Sequence, residues 1–239
     1  MQRSLQVSLT AILAALHAVL YFISFGLWRN WGIYLESVEG IILGPKFGFL
    51  AALLGSVIAR MIKPDSFWMF GMIAEPLSVL IAGFLAETKW KPGLVIYGVM
   101  LSAYFIHPFG RILPLWTILD ILFALLLIYP AAKFSDNLLK KDVKRLSVSL
   151  VLISFVCIAT DSLARVFLLV PCGLHELFFN GLEELYLVFV GAAVDSYIED
   201  CIAVIIAFFV CTPLLISISR LGILKKARRH ARKDLVDES

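Results

Sequence analysis

Charge is what this chain has least of. Only 16% of its 239 residues are Asp, Glu, Lys or Arg, whereas a soluble domain of this length carries about 25%. That deficit excludes an ordinary soluble globule. A 61% hydrophobic content and a mean hydropathy of +0.92 point to the bilayer instead. The long apolar runs also lack two-residue alternation, which excludes a barrel of strands. Paired cysteine spacing is missing too. Cys157, Cys201 and Cys211 sit in apolar runs as small hydrophobes, and only Cys172, beside Pro171 and Gly173, has a loop setting. There is no phosphate-binding P-loop, no G-x-S-x-G, no H-E-x-x-H and no aspartate-rich diphosphate motif. His17 and His107 lie in or beside spans, and His175-Glu176 reads as a hydrated loop contact. The expectation is a protein without catalytic residues, metal ligands or a cofactor.

What is present is a series of eight apolar segments, at about 5–27, 33–44, 46–62, 69–88, 94–108, 112–132, 147–170 and 191–219. They predict an all-α, polytopic transmembrane bundle forming one integral-membrane domain over 1–239. Arg3 would suit a signal peptide, but Trp28, Arg29, Asn30 and Trp31 follow without a small-residue cleavage site, so the first helix is retained. Residues 33–44 rise only about 18 Å, short of the roughly 30 Å hydrocarbon core. They are read as a short helix turning at Gly44-Pro45 into 46–62. Lysine and arginine cluster at 133–145, at 89–91 and in the basic tail 220–239, and eight alternating segments put these and Arg3 on the cytoplasmic side together. The loops 28–35, 63–68, 109–111 and 171–190 then face outward. In the helix 46–62, Gly48, Ala52, Gly55 and Ala59 recur at three- or four-residue spacing, a seam for close helix packing, and Arg60 ends it.

Ionisable residues within or beside spans are the functional candidates, because each costs about 2.5–3.5 kcal/mol at a helix centre on insertion scales. They are Glu36, Glu39, Glu75, Asp120, Asp161, Arg165, Asp195 and Glu199. Asp161 and Arg165, four apart, either neutralise each other or face a ligand. Glu75 precedes Pro76, at an expected helix break near the outer side. Asp195 and Glu199, four apart near the outer entrance of the last span, repel on one face and invite a cation, a cationic ligand or water. Asp120 reads as packing glue. Trp28 and Trp31 flank Arg29 and Asn30, as an aromatic belt or as a stacking surface with two polar selectors, and Trp68 belongs to the same rim.

The alanine stripe Ala11, Ala15 and Ala18 (overlapped by Ala14), with GPKFGFLAALLGSVIAR at 44–60, DSLARVFLL at 161–169 and VDSYIED at 194–200, resembles the substrate-binding S components of energy-coupling factor (ECF) transporters. The resemblance implies a six-helix core, with 94–108 and 112–132 as an added hairpin or one broken element. It implies capture of a vitamin-like molecule or metal ion at the outer face of the cell membrane. It also implies uptake powered by a T-component membrane subunit and a pair of ABC ATPases, with Ala11, Ala15 and Ala18 packed against the T component. Trp28, Arg29, Asn30, Trp31, Glu36 and Glu39 would lie near the substrate, with Trp68, Glu75, Asp161, Arg165, Asp195 and Glu199 as further candidates. Two alternatives remain: a stand-alone proton- or ion-coupled secondary transporter, and an integral-membrane lipid-modifying enzyme.

Overall fold

The computed structural model describes residues 3–23, 30–139 and 142–220, and every regular element among them is helical. The helices are α1 (Arg3–Tyr21), α2 (Glu36–Ile62), α3 (Trp68–Ala86), α4 (Lys91–Ile106), the short α5 (Pro108–Ile112), α6 (Leu119–Phe134), α7 (Val143–Leu169), α8 (Leu182–Ile206) and α9 (Thr212–Arg220). Among the described residues, six stretches are long and apolar enough to cross a membrane: Ser4–Tyr21, Trp31–Ile62, Trp68–Ala86, Leu115–Phe134, Val143–Leu169 and Leu182–Ile218. Lys91–Ile106 is apolar but shorter. The chain is a polytopic helical bundle of membrane character.

A straight helix over the 32 residues Trp31–Ile62 would measure about 48 Å, far beyond the hydrocarbon thickness. The chain instead folds back at Gly44, whose φ of 75° and ψ of 177° lie in a region open in practice to glycine alone. Pro45 follows, its missing N–H harmless in the first turn of a new helical arm. The arms 36–43 and 45–62 lie side by side. A Cβ on Gly48 would sit 3.3 Å from the Gly40 Cα, two positions that a straight helix holds about 12 Å apart. The turn expected at Gly44-Pro45 is therefore real. With α2 counted as two arms, each of the eight apolar segments corresponds to a helical stretch, although the arm 36–43 and Lys91–Ile106 are short.

The small-residue seam packs on three neighbours. Gly55 meets the Ala14 carbonyl and His17 of α1, Gly48 meets Val79 of α3 and the Gly40 arm, and Ala59 clusters with Ala18 and Tyr21. Near the fold-back, a Cβ on Gly83 would lie 2.6 Å from the Pro45 backbone. α7 runs through the centre, with 78% of its most apolar window buried against 22% for α1. It packs on α3, α6, α4 and α8 around Leu150, Ile153 and Leu163. α4 and α6 are separate helices joined by α5 and a 3-10 turn, so that pair is a hairpin and not one broken element.

Three expectations need correction. α3 runs unbroken through Pro76, and the hydroxyl of Ser78 donates to the Glu75 carbonyl at 2.7 Å within that turn. α8 begins at Leu182, so Glu183 and Glu184 occupy its first turn, where the helix dipole favours acids, and not a loop. Asp195 and Glu199 consequently sit well inside α8, away from its entrance.

Candidate functional site

Five side chains converge on one carboxylate. Glu75 of α3 is fully buried, and its Oε1 receives the Arg60 Nη2 at 2.6 Å and the Asn30 Nδ2 at 3.2 Å. Its Oε2 receives the Arg60 Nη1 at 3.0 Å and the Ser56 hydroxyl, and lies 3.1 Å from His17 Nε2. Arg165 of α7 stands 3.6 Å from Oε1. The fold-back of α2 makes this possible, because it brings Glu36 and Glu39 on one arm beside Ser56 and Arg60 on the other. Gly71 is needed as well, since a Cβ there would overlap the Arg60 guanidinium. Glu39 meets His17 Nδ1 at 3.1 Å, and Glu36 accepts a hydrogen bond from Ser78. Asp161 accepts from Arg165 Nε at 2.7 Å. Such a centre resists casual substitution: removing one partner of a buried ion pair costs about 3–5 kcal/mol.

Above this cluster opens a cavity of about 370 Å³. Its walls come from the C-terminal ends of α1, α2 and α7 and from the N-terminal parts of α3, α6 and α8. Tyr21, Phe67, Phe70, Phe179 and Phe189 supply aromatic surface. Arg60, Lys63 and Arg165 bring positive charge to it, and Asp65, Asp120 and Glu199 bring negative charge. At the rim, Tyr21 donates to Asp65 Oδ2 at 2.6 Å and to the Lys63 carbonyl at 3.0 Å, while the Arg60 guanidinium stacks 4.9 Å from its ring centre. On the far wall, Ser196 donates to Asp120 at 3.0 Å and lies 3.1 Å from the Ser162 hydroxyl. Mostly apolar walls with a few converging charges are the usual chemistry of a small-molecule pocket.

The candidates divide clearly. Asn30, Arg165 and Glu199 line the cavity, and Glu36, Glu39, Glu75 and Asp161 belong to the buried cluster beneath it. Asp161 and Arg165 do pair with each other, yet Arg165 also faces the cavity and Glu75. Asp120 serves both as glue to α8 and as cavity wall. Trp31 packs edge-on against Tyr34 and contacts a small cluster with Ile158 and Ala203, away from the cavity. Trp68 is 43% exposed and Asp195 half-buried, and neither lines the cavity. Trp28 and Arg29 lie outside the described residues. On α1, Ala11 and Ala15 face outward, whereas Ala18 is buried against Tyr21 and Ala59. Ala18 therefore belongs to the bundle's own packing and not to the free face that Ala11 and Ala15 share.

His17, Ser56 and Arg60 complete the buried cluster around Glu75 and are not among the candidates drawn from the sequence. Each has a local signal. His17 is an ionisable group one turn beyond Ala14 on the inward face of α1, and Ser56 and Arg60 flank the seam residues Gly55 and Ala59. Their partners lie on other helices, at separations that no single-helix motif encodes.

No family model matches the chain, and no solved structure matches it. An uncharacterized protein of Methanocaldococcus jannaschii is 34% identical over 131 residues, which are 54% of this chain. The chain spans 44% of that relative's length. The chain is thus similar, over half of its own length, to an archaeal protein whose description states no activity.

Proposed function

We propose that this protein is the substrate-capture subunit of an ECF-type importer, binding a small molecule in the cavity above Glu75 and performing no catalysis. The observation that carries the proposal is the cavity itself. It is formed by helix ends that the distribution of lysine and arginine assigns to the outer side, it has aromatic walls, and Arg60, Arg165, Asp120 and Glu199 supply both signs of charge. Both termini, including the basic segment 220–239, are then cytoplasmic in a cell membrane. The outward pair Ala11 and Ala15 leaves a low-relief strip on α1 where a T-component helix can approach closely. Binding rather than turnover is favoured because His17, a natural proton-transfer group, lies behind Arg60 and does not line the cavity. ATP hydrolysis in partner subunits would drive release to the inside.

The buried ionisable cluster favours a second reading, a stand-alone ion-coupled transporter. Co-purification separates the two. A tagged chain should bring down a T-type membrane subunit and an ATPase pair, and Ala11→Leu with Ala15→Leu should abolish uptake while ligand binding persists. A chain isolated alone, with uptake collapsed by an ionophore, would establish the second reading. Loss of binding in the alanine variants would make the strip ordinary packing.

A further inference from the structure

The cavity above Glu75 separates its charges by sign. At the end of α2 stand Arg60 and, three residues on, the exposed Lys63. The acid beside them, Asp65, is already engaged: Oδ1 accepts from the Phe67 N–H at 2.8 Å and Oδ2 from the Tyr21 hydroxyl at 2.6 Å. Arg165 of α7 joins this basic end, because its guanidinium and that of Arg60 approach the same Glu75 oxygen, at 3.6 and 2.6 Å. Arg60 meets Glu75 end-on, through Nη1 and Nη2. Its buried Nε–H has no acceptor among the described residues.

The acids Asp120 and Glu199 lie at a different level. α7 and α8 form an antiparallel hairpin whose register is set by the Ser162 and Ser196 hydroxyls, 3.1 Å apart. Arg165 is then nearly one turn above this level, toward the hairpin loop, and Glu199 nearly one turn below it, about 9 Å apart along the axis at 1.5 Å per residue. Asp120 sits at the level between, where it accepts from Ser196 at 3.0 Å. The same register sets the small Ala193 against Arg165, which leaves space beside the guanidinium. Phe70, Phe179 and Phe189 supply flat apolar wall to the same cavity.

We propose that this cavity takes an amphoteric aromatic molecule. Its carboxylate or phosphate is held by Arg60 and Arg165 with Lys63 at the rim, its basic nitrogen by Asp120 and Glu199, and its ring among the phenylalanines. A guanidinium N–H matches either anion, and the acidic level matches a protonated amine or ring nitrogen. A purely anionic molecule would bring its charge against Asp120 and Glu199, and a purely cationic one against Arg60 and Arg165. An uncharged apolar molecule would leave the buried Nε–H of Arg60 without an acceptor, a costly arrangement. This class rests on the cavity being a capture site, as proposed above, and states what is captured there.

The test uses the full chain purified from its native membrane, with the bound compound released by solvent denaturation. The compound should be stoichiometric, absorb as an aromatic, and migrate in electrophoresis as a cation at acid pH and an anion at alkaline pH. Fragmentation in a mass spectrometer then separates a carboxylate, by loss of carbon dioxide, from a phosphate. A compound with one sign of charge only, or without a ring, would overturn this assignment and leave the capture reading standing. Bulk membrane lipid alone, or no compound, would overturn both. An amphoteric aromatic on a chain that purifies without ATPase subunits would support the assignment and remove the ECF-type partnership. On dialysis, Glu199→Gln should release the compound about 10-fold faster than wild type. Lys63→Gln, at an exposed rim position, should release it roughly 2–5-fold faster. Unchanged release from both variants would overturn the two-ended assignment. Should Glu199→Gln fail to stay monodisperse, Lys63→Gln decides by the same criterion.

Discussion

The helices α1–α3 and the hairpin α4–α6 are both apolar, yet they solve helix packing in opposite ways. In the first group glycine brings backbones into contact: a Cβ on Gly40 would lie 2.6 Å from the Val79 carbonyl oxygen and 2.7 Å from the Gly83 nitrogen. In α4, Gly98 has nothing within 4 Å of its would-be Cβ, and Gly93 meets only side-chain carbons at 3.4 Å and beyond. Between α4 and α6 the packing is made by bulky side chains such as Ile121, Ile128 and Tyr97, and the close glycine approach of the hairpin, Gly110 on the Tyr104 carbonyl, is confined to the connecting turn. The polar groups follow this division. His17, Glu36, Glu39, Ser56, Arg60 and Glu75 all belong to the glycine-packed group, whereas the hairpin buries one acid, Asp120. Close backbone approach lets short polar side chains reach across helices, which in lipid is their route to satisfaction.

The largest test of that contrast is Glu75→Gln. It leaves Arg60 without its carboxylate and should destabilise the folded protein by about 3–5 kcal/mol, read as thermal or denaturant unfolding in nanodiscs. A loss near zero would mean that the cluster is not held together through Glu75. Next come two glycines of equal chemistry and different surroundings. Gly40→Ala forces a methyl against backbone and should cost about 1–3 kcal/mol. Gly98→Ala meets open space and should gain roughly 0.5–1 kcal/mol from the lower backbone entropy of alanine. Equal effects at the two positions would break the comparison.

Much of this architecture was legible in the sequence, for identifiable reasons. Apolar length marked the passes, the Gly44-Pro45 pair marked the fold-back, and the Gly48–Ala59 spacing marked the seam. Glu75, Asp161, Arg165 and Glu199 stood out because charge in a span is expensive. What could not be read was convergence. His17 reaches Glu75 across 58 residues and Arg60 reaches it across 15, through a fold-back whose angle no local pattern specifies. Glu75-Pro76 misled for a related reason: proline was read as a helix end, whereas a packed helix carries it through. Trp31 misled because an interfacial tryptophan and a packing tryptophan look alike in one dimension.

A smaller effect concerns the two ends of the bundle. Cys172 is a free, exposed thiol in the loop after α7. The orientation proposed above makes it reachable from outside, so a membrane-impermeant maleimide should label it in intact cells. Partial burial pushes its thiol above the ordinary range, which leaves less thiolate at neutral pH. Labelling should therefore be slow near pH 7 and accelerate as the pH rises past the usual thiol value of about 8.5. Protection in intact cells with labelling after lysis would reverse the assignment of the two ends.

The central claim is that the cavity above Glu75 holds a small molecule. Native mass spectrometry of the protein released from its membrane tests this most directly, comparing wild type with Ala192→Trp, which fills the cavity from α8 without touching the buried cluster. The account predicts one retained small-molecule mass on the wild type and its absence from the variant. A wild type that retains nothing when purified from its native membrane, or a mass that persists unchanged in Ala192→Trp, would contradict it.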